Sequence, residues 1–169
     1  LQFPDGRKPR IYSMVESHRG DILLGTAGYG LYSVKNNGIE KTANNRFTIR
    51  WERAYAERDS DVFFTHIYED KHHYLWQSSH LSTFTRFIEK QGKVQRKDFK
   101  SPYGAPVAFI QHRPQAMLIV CMYGIIYYDY RTGRIADAGY DLGTFKNHVT
   151  INNATFDHDG NLYISTSEH

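Results

Sequence analysis

The sequence has little cysteine and no long apolar run, and its positive charge is not concentrated. Cys121 is the only cysteine among 169 residues, so no disulfide can form within the chain and neither an oxidising nor a reducing compartment is required. No apolar run reaches the roughly 20 residues of a membrane-spanning helix. The 21 basic and 18 acidic residues are dispersed, without the basic stripe that follows a phosphate backbone. We therefore expect no nucleic-acid partner.

Aromatic residues are abundant in the sequence, whereas methionine is scarce. The chain has 13 Tyr and 10 Phe against 3 Met, a bias toward side chains that suit a pleated, half-buried surface. Apolar residues alternate or run together for five or six positions, and they do not recur at the three- and four-residue spacing of a helix face. This pattern predicts an all-β protein.

A strand–turn–strand unit recurs four times along the chain. In the clearest copy, a strand ending at Phe156 meets a turn at 157–160, and a second strand follows at 161–166. The four copies align on an apolar residue early in the second strand, and these residues are 53, 42 and 45 positions apart: Ile22, Leu75, Met117 and Leu162. These intervals are close to the roughly 40 to 50 residues of one propeller blade.

Further strands complete most units. Segments 47–51 and 94–99 read as fourth strands, reached through turns that carry the Gly and Asn of hairpins, at 36–38, 90–93 and 131–134.

The predicted fold is an all-β β-propeller fragment of about three and a half four-stranded antiparallel blades. The predicted bounds are 1–10 for a lead-in or the outer strand of a preceding blade, 11–61, 62–106 and 107–148 for three blades, and 149–169 for the first two strands of an incomplete blade. Because open blade edges invite pairing, we expect further blades in a longer parent chain, or a homodimer partner.

Short motifs in these units resemble the two-component regulator propeller repeat. They are 160–166, 22–26 followed by 30–32, and 69–70 with 75–76. The resemblance covers the whole chain as four units. The third unit departs from it, with Pro114, Gln115 and Ala116 where an acidic-glycine turn is expected.

The resemblance implies the periplasmic sensor region of a Bacteroides-type hybrid two-component system, the ectodomain of an inner-membrane protein. In that family the ligands are commonly oligosaccharides, and binding controls a histidine kinase phosphorelay carried by other parts of the chain. The expectation is thus a sensor segment that binds an oligosaccharide or another small ligand, with no catalysis and no cofactor of its own. Contact with the membrane is expected only through parts of the parent outside these residues.

Loops on one face of the propeller are the expected ligand site. The loops between second and third strands and between blades gather there, and loops on rigid scaffolds carry recognition. Aromatic faces pack on the CH groups of sugars while neighbouring polar groups bind hydroxyls. The candidate ligand-binding residues are Tyr29, Tyr55, His80, Tyr103, Tyr123, His148 and Glu168. For each of them, ordinary loop packing is the alternative, whereas Trp51 and Trp76 are interpreted as blade core.

No metal site is predicted. The densest group of the nine histidines is His66, His72, His73 and His80. Adjacent histidines on an extended segment point to opposite faces, so these are interpreted as solvated turn residues. Segment 157–160 resembles the start of a calcium loop, but it is interpreted as a hairpin turn.

Catalysis is weighed as an alternative. Ser78, Ser79 and Cys121 lie in predicted strands without the strand-turn-helix context of a nucleophile elbow. A propeller enzyme acting on sugars would need two carboxylates at a defined separation, and the acidic residues here fall mainly in turns. The sensor hypothesis is therefore ranked first. The alternatives are a lyase or glycosidase-like enzyme and, after it, a protein-interaction scaffold.

Overall fold

The computed structural model describes residues 8, 10–28, 30–41, 47–53, 63–91, 93–140, 142 and 149–167, and for 36–41 and 47–53 it describes the backbone alone. The chain divides into two compact units. The first contains residues 1–77 and 86–96, and the second contains 78–85 and 97–169. Within the described ranges there are fourteen β-strands and no helix, and hence no helix long and apolar enough to cross a bilayer.

The strands form three four-stranded sheets and one two-stranded sheet, each in sequence order. The pairings given for the first, third and fourth sheets are antiparallel. The first sheet contains β1 Ile11–Glu16, β2 Ile22–Thr26, β3 Leu31–Lys41 and β4 Phe47–Arg53. The second contains β5 His66–Glu69, β6 Leu75–Ser78, β7 Thr83–Lys90 and β8 Lys93–Lys100. The third contains β9 Pro106–Arg113, β10 Ala116–Cys121, β11 Gly124–Asp129 and β12 Arg134–Asp137, and the fourth contains β13 Ile151–Phe156 and β14 Leu162–Thr166. The predicted fold class is confirmed.

One predicted turn is wrong. Residues 36–38 lie inside β3, which continues to Lys41. The register of β3 against β4 shifts between Val34 and Ile39, so a bulge absorbs the Asn-Asn-Gly segment within the strand. The predicted turns at 90–93 and 131–134 are confirmed, because Gln91 and Gly133 adopt positive φ angles of 52° and 67° between paired strands.

Each compact unit has its own apolar core. In the first unit Phe64, Leu75 and Phe87 are buried together with Leu23, Leu31 and Ile67. In the second unit the central strand β10 is buried from Met117 to Cys121, which explains its continuous apolar run. Trp76 is fully buried, as the interpretation as blade core expects, while the side chain of Trp51 lies outside the described residues.

Three sheets share one turn between their first and second strands. The turns are 17–21, 70–74 and 157–161. In each, the N–H of the first residue donates to the C=O of the fifth, at 2.8, 3.0 and 3.0 Å respectively. The N–H of the fourth residue donates back to the C=O of the first, at 2.8, 2.9 and 3.3 Å. This recurrence shows that the sequence repeat is also a structural repeat.

The fourth position of this turn has a left-handed backbone. Gly20 and Gly160 occupy it with φ of 77° and 83°, as expected for the residue that reaches this region without a steric cost. In the second sheet His73 occupies it with φ of 59°. A histidine at this position costs free energy that glycine avoids.

Candidate functional site

The structure describes three of the seven predicted ligand-binding residues. Tyr29, Tyr55, His148 and Glu168 lie outside the described residues. His80 is exposed in the loop between β6 and β7. Tyr103 lies in the loop between β8 and β9, and Tyr123 lies in the turn between β10 and β11. These are the loop types in which the sequence predicted them, but ligand binding itself stays a prediction.

Tyr103 and Tyr123 pack on each other's neighbouring glycines. A Cβ at Gly124 would lie only 2.6 to 2.9 Å from ring carbons of Tyr103, and a Cβ at Gly104 would lie 3.0 and 3.1 Å from ring carbons of Tyr123. The backbone N–H of Tyr123 donates to the C=O of Tyr103 at 3.0 Å. The two Tyr-Gly pairs thus fix the two loops against each other, because neither glycine leaves room for a side chain.

Asp137 at the end of β12 holds the hydroxyl of Tyr103. The Tyr103 hydroxyl donates to Asp137 Oδ2, and the N–H of Gly139 donates to Asp137 Oδ1 at 2.7 Å. This hydrogen bond, followed by partial desolvation and by the negative charge of the carboxylate, raises the pKa of Tyr103 above its usual value. The shift favours the protonated phenol, which is the form that donates to Asp137.

A shallow cleft of about 260 Å³ opens beside this pair. Its described lining, which we call the tyrosine cleft, is Tyr103, Gly124, Ile125, Asp137, Gly139, Tyr140 and Leu142. Tyr140 is 39% exposed, and Asp137 is exposed as well. The cleft therefore combines aromatic surface with a fixed carboxylate acceptor and a phenol, which is the chemistry that suits a sugar ring.

Two residues of this cleft were missed in the sequence. Asp137 is the last residue of β12, and Tyr140 lies three residues further on, in the connection toward the next sheet. Placing the end of that short strand would have drawn attention to both, because one ends the strand and the other lies in the inter-blade connection. The dipeptides 103–104 and 123–124 were a further signal, since a glycine after an aromatic residue permits close approach of a ring.

A second polar group lies in the first compact unit, on the turns at 17–21 and 70–74 and at the end of β5. Nδ1 of His18 is hydrogen-bonded to Oε1 of Glu69, and Nδ1 of His73 lies 3.2 Å from the same oxygen. The backbone N–H of His18 donates to Glu69 Oε2 at 3.2 Å. The two imidazole rings stack with their centroids 4.0 Å apart. We call His18, Glu69 and His73 the histidine cluster.

The sequence grouped different histidines. His73 lies with His18, which comes from another sheet, whereas the exposed His72 has its ring 5.8 Å from that of Tyr74. His66 is partly buried, and desolvation lowers its pKa. The signal that was missed is positional, because His18 and His73 lie on equivalent turns of neighbouring units.

Salt bridges flank the histidine cluster. Arg19 contacts Glu89 at 3.0 Å, and Lys35 contacts Asp21 at 2.9 Å. Together with the cluster they line a cleft of about 400 Å³. Arg19 and Lys35 therefore have carboxylate partners of their own, and Glu69 faces the two imidazoles.

No protein-family model matches the sequence, and no curated protein matches it. Solved structures do match in fold. The extracellular domain of BT4673 of B. thetaiotaomicron, described as a hybrid two-component system, aligns with 96% of this chain at 16% identity and a TM-score of 0.61. That of BT3049, described in the same way, aligns with 93% at 14% identity and a TM-score of 0.58. The chain spans only 20% and 19% of those two structures.

An enzyme is also similar in fold. A catalytically inactive form of virginiamycin B lyase from Staphylococcus aureus, solved with quinupristin, aligns with 97% of this chain at 16% identity and a TM-score of 0.56. The chain spans 57% of that enzyme. At these identities the likenesses show the fold, and the expected resemblance to propellers of Bacteroides sensor regions is confirmed at that level.

Proposed function

We propose that this chain is a ligand-recognition segment in the extracytoplasmic sensor region of a hybrid two-component signalling protein. The similar ectodomains support this role, and so do the propeller motifs in the sequence. The ligand on this proposal is an oligosaccharide, and its binding outside the inner membrane, in the periplasm, controls a histidine kinase phosphorelay in other parts of the protein. The segment itself recognises and does not catalyse.

The observation that carries the ligand class is the tyrosine cleft. Tyr140 offers an exposed ring face, and Asp137 offers an acceptor whose direction is set by the N–H of Gly139 and the hydroxyl of Tyr103. A sugar presents CH groups on one face and hydroxyls at its edge, so one ring can pack on Tyr140 and donate to Asp137. Fixed loops reduce the entropy lost on binding, and the Tyr-Gly contacts supply that rigidity.

The test is calorimetry of the chain against a panel of neutral and acidic oligosaccharides. At least one should bind, and Tyr140→Ala and Asp137→Asn should each weaken that binding by about tenfold or more, as expected when a ring contact or a hydrogen bond to a charged group is lost. Tyr163→Ala is the matched control, because Tyr163 is 58% exposed on β14 and takes no part in the cleft.

Two results would count against this assignment. Absence of heat across the panel would oppose the ligand class, and equal weakening by Tyr163→Ala would oppose the location. The same samples also test the enzyme alternative, because chromatography reveals any cleaved sugar. Asp137 is the one carboxylate among the described lining residues, whereas hydrolysis of sugars generally uses two.

A further inference from the structure

We propose that the histidine cluster is a binding site for a divalent transition metal, with Zn²⁺ as the best-fitting ion. The ligands would be Nδ1 of His18, a carboxylate oxygen of Glu69 and Nδ1 of His73. This site is separate from the tyrosine cleft and does not depend on the sensor proposal. It would connect the first turn of the first sheet to the first turn of the second.

The spacing of the three donors fits this ion. One ligand atom from each of the three residues lies within 4.8 Å of the other two, and His73 Nδ1 and Glu69 Oε1 are 3.2 Å apart. Bonds of about 2.0 to 2.1 Å at tetrahedral angles place neighbouring ligand atoms roughly 3.3 Å apart. The His73–Glu69 pair already has this separation.

The donor set also selects the metal. Two imidazoles and one carboxylate form a ligand set that zinc sites with an open fourth position use. Calcium and magnesium prefer oxygen ligands, so a site with two nitrogen donors disfavours them. Water or a group of another molecule would occupy the fourth position.

Glu69 is held in place before any ion arrives. Its side chain is 9% exposed, and the backbone N–H of His18 donates to Oε2. The remaining oxygen, Oε1, faces both imidazole nitrogens. A carboxylate oriented by a backbone donor resembles the outer-shell support that metal ligands receive.

The backbone at His73 is an independent observation that points the same way. The equivalent turn position holds glycine at Gly20 and Gly160, and all three residues have positive φ. A side chain kept where this turn otherwise has glycine carries a steric cost, which is typical of residues retained for a functional contact. At this position the side chain places Nδ1 against Glu69.

The experiment titrates Zn²⁺ into metal-free chain by calorimetry and Co²⁺ by visible absorption. The wild-type chain should bind one equivalent, with Co²⁺ d–d bands of a four- or five-coordinate site. His73→Gly, Glu69→Gln and His18→Ala should each weaken binding by at least about 10- to 100-fold, the loss seen when even an outer-shell partner is removed. Zn²⁺ should also raise the thermal midpoint of the wild type and not that of His73→Gly.

His73→Gly is the decisive variant, because glycine is the residue that this turn accepts elsewhere and the variant is expected to fold. His72→Ala is the matched control within the same turn, and His158→Ala is the control at the position equivalent to His18. Both should bind Zn²⁺ like the wild type. The proposal fails if the wild type shows no saturable Zn²⁺ binding, if His73→Gly binds as well as the wild type, or if His72→Ala weakens binding equally.

Discussion

Asp70→Ala is expected to destabilise the chain strongly through one buried side chain. Asp70, directly after β5, is 3% exposed, and its Oδ2 accepts the indole N–H of the fully buried Trp76 at 2.7 Å. Its Oδ1 accepts the backbone N–H groups of His72 and Tyr74 at 2.8 and 3.0 Å. One carboxylate therefore serves a core indole and the turn that presents His73.

The loss in the free energy of unfolding follows from the N–H groups that Asp70→Ala leaves without their acceptor. A buried N–H without an acceptor costs about 1 to 3 kcal/mol, and this applies to the indole of Trp76. The two turn N–H groups lose a charged acceptor but can turn to water, which we count as about 0.5 to 1 kcal/mol each. The expected loss is thus about 2 to 5 kcal/mol, or a fall in the thermal midpoint of roughly 5 to 15 °C.

Urea unfolding followed by far-ultraviolet circular dichroism measures this loss, and a double-mutant cycle locates it. Trp76→Phe keeps an aromatic ring but removes the N–H, so Asp70→Ala should cost less in that background, with a coupling energy of about 1 to 2 kcal/mol. Asp157→Ala is the matched control, since Asp157 accepts the same turn N–H groups at an exposed site. Equal losses at Asp70 and Asp157, or no coupling to Trp76, would refute the reasoning.

Three further predictions concern other parts of the molecule. Burial raises the pKa of the Cys121 thiol to about 11, so a thiol reagent at pH 8 should label the chain only after unfolding; rapid labelling of the folded chain would contradict this. Gly124→Ala should destabilise by about 1 to 3 kcal/mol through overpacking and lower the pKa of Tyr103 by displacing its ring, as an absorbance titration would show. Hydrogen bonds from Asn161 hold the pKa of Asp157 below its usual value, so this contribution to stability is present above about pH 3.9 and is lost as pH falls through the folded pKa. Asn161→Ala should raise that pKa in an NMR titration, and an unchanged pKa would oppose the assignment.

The strands could be predicted because their signals are local. Segments 47–51 and 94–99 lie inside observed strands, and Trp76 is buried as expected for a residue in a short apolar run. The hairpin at 90–93 has a polar, glycine-containing turn sequence, which the sequence shows directly, and Gln91 in it adopts a positive φ of 52°. Strands and turns of this kind can be predicted from the local sequence, without knowledge of the partner strand.

Strand register and contacts between residues distant in the chain could not be predicted from the sequence in the same way. Residues 36–38 look like a turn, but the pairing of β3 with β4 resumes at Ile39 after a bulge, so they lie inside β3. His18 and Glu69 are 51 positions apart, and their contact depends on how two turns of different sheets meet within the first unit. Nearness along the chain suggested His66, His72 and His80 as companions of His73, although alternation along a strand separates neighbouring side chains.

In a repeat protein, a residue can be compared with the residues at the equivalent positions of the other repeats. Where equivalent turn positions hold the same kind of residue, as Gly20 and Gly160 do, the backbone conformation alone explains the choice. Where one unit departs from that choice at a cost in free energy, as at His73, the backbone conformation does not account for the residue, and its side-chain contacts are the place to look for a reason. That contact is with Glu69, which is itself held by the backbone of the neighbouring turn. Replacing His73 by the glycine of the equivalent turns should therefore remove the contact and keep the fold, so the variant tests the proposed metal site separately from stability.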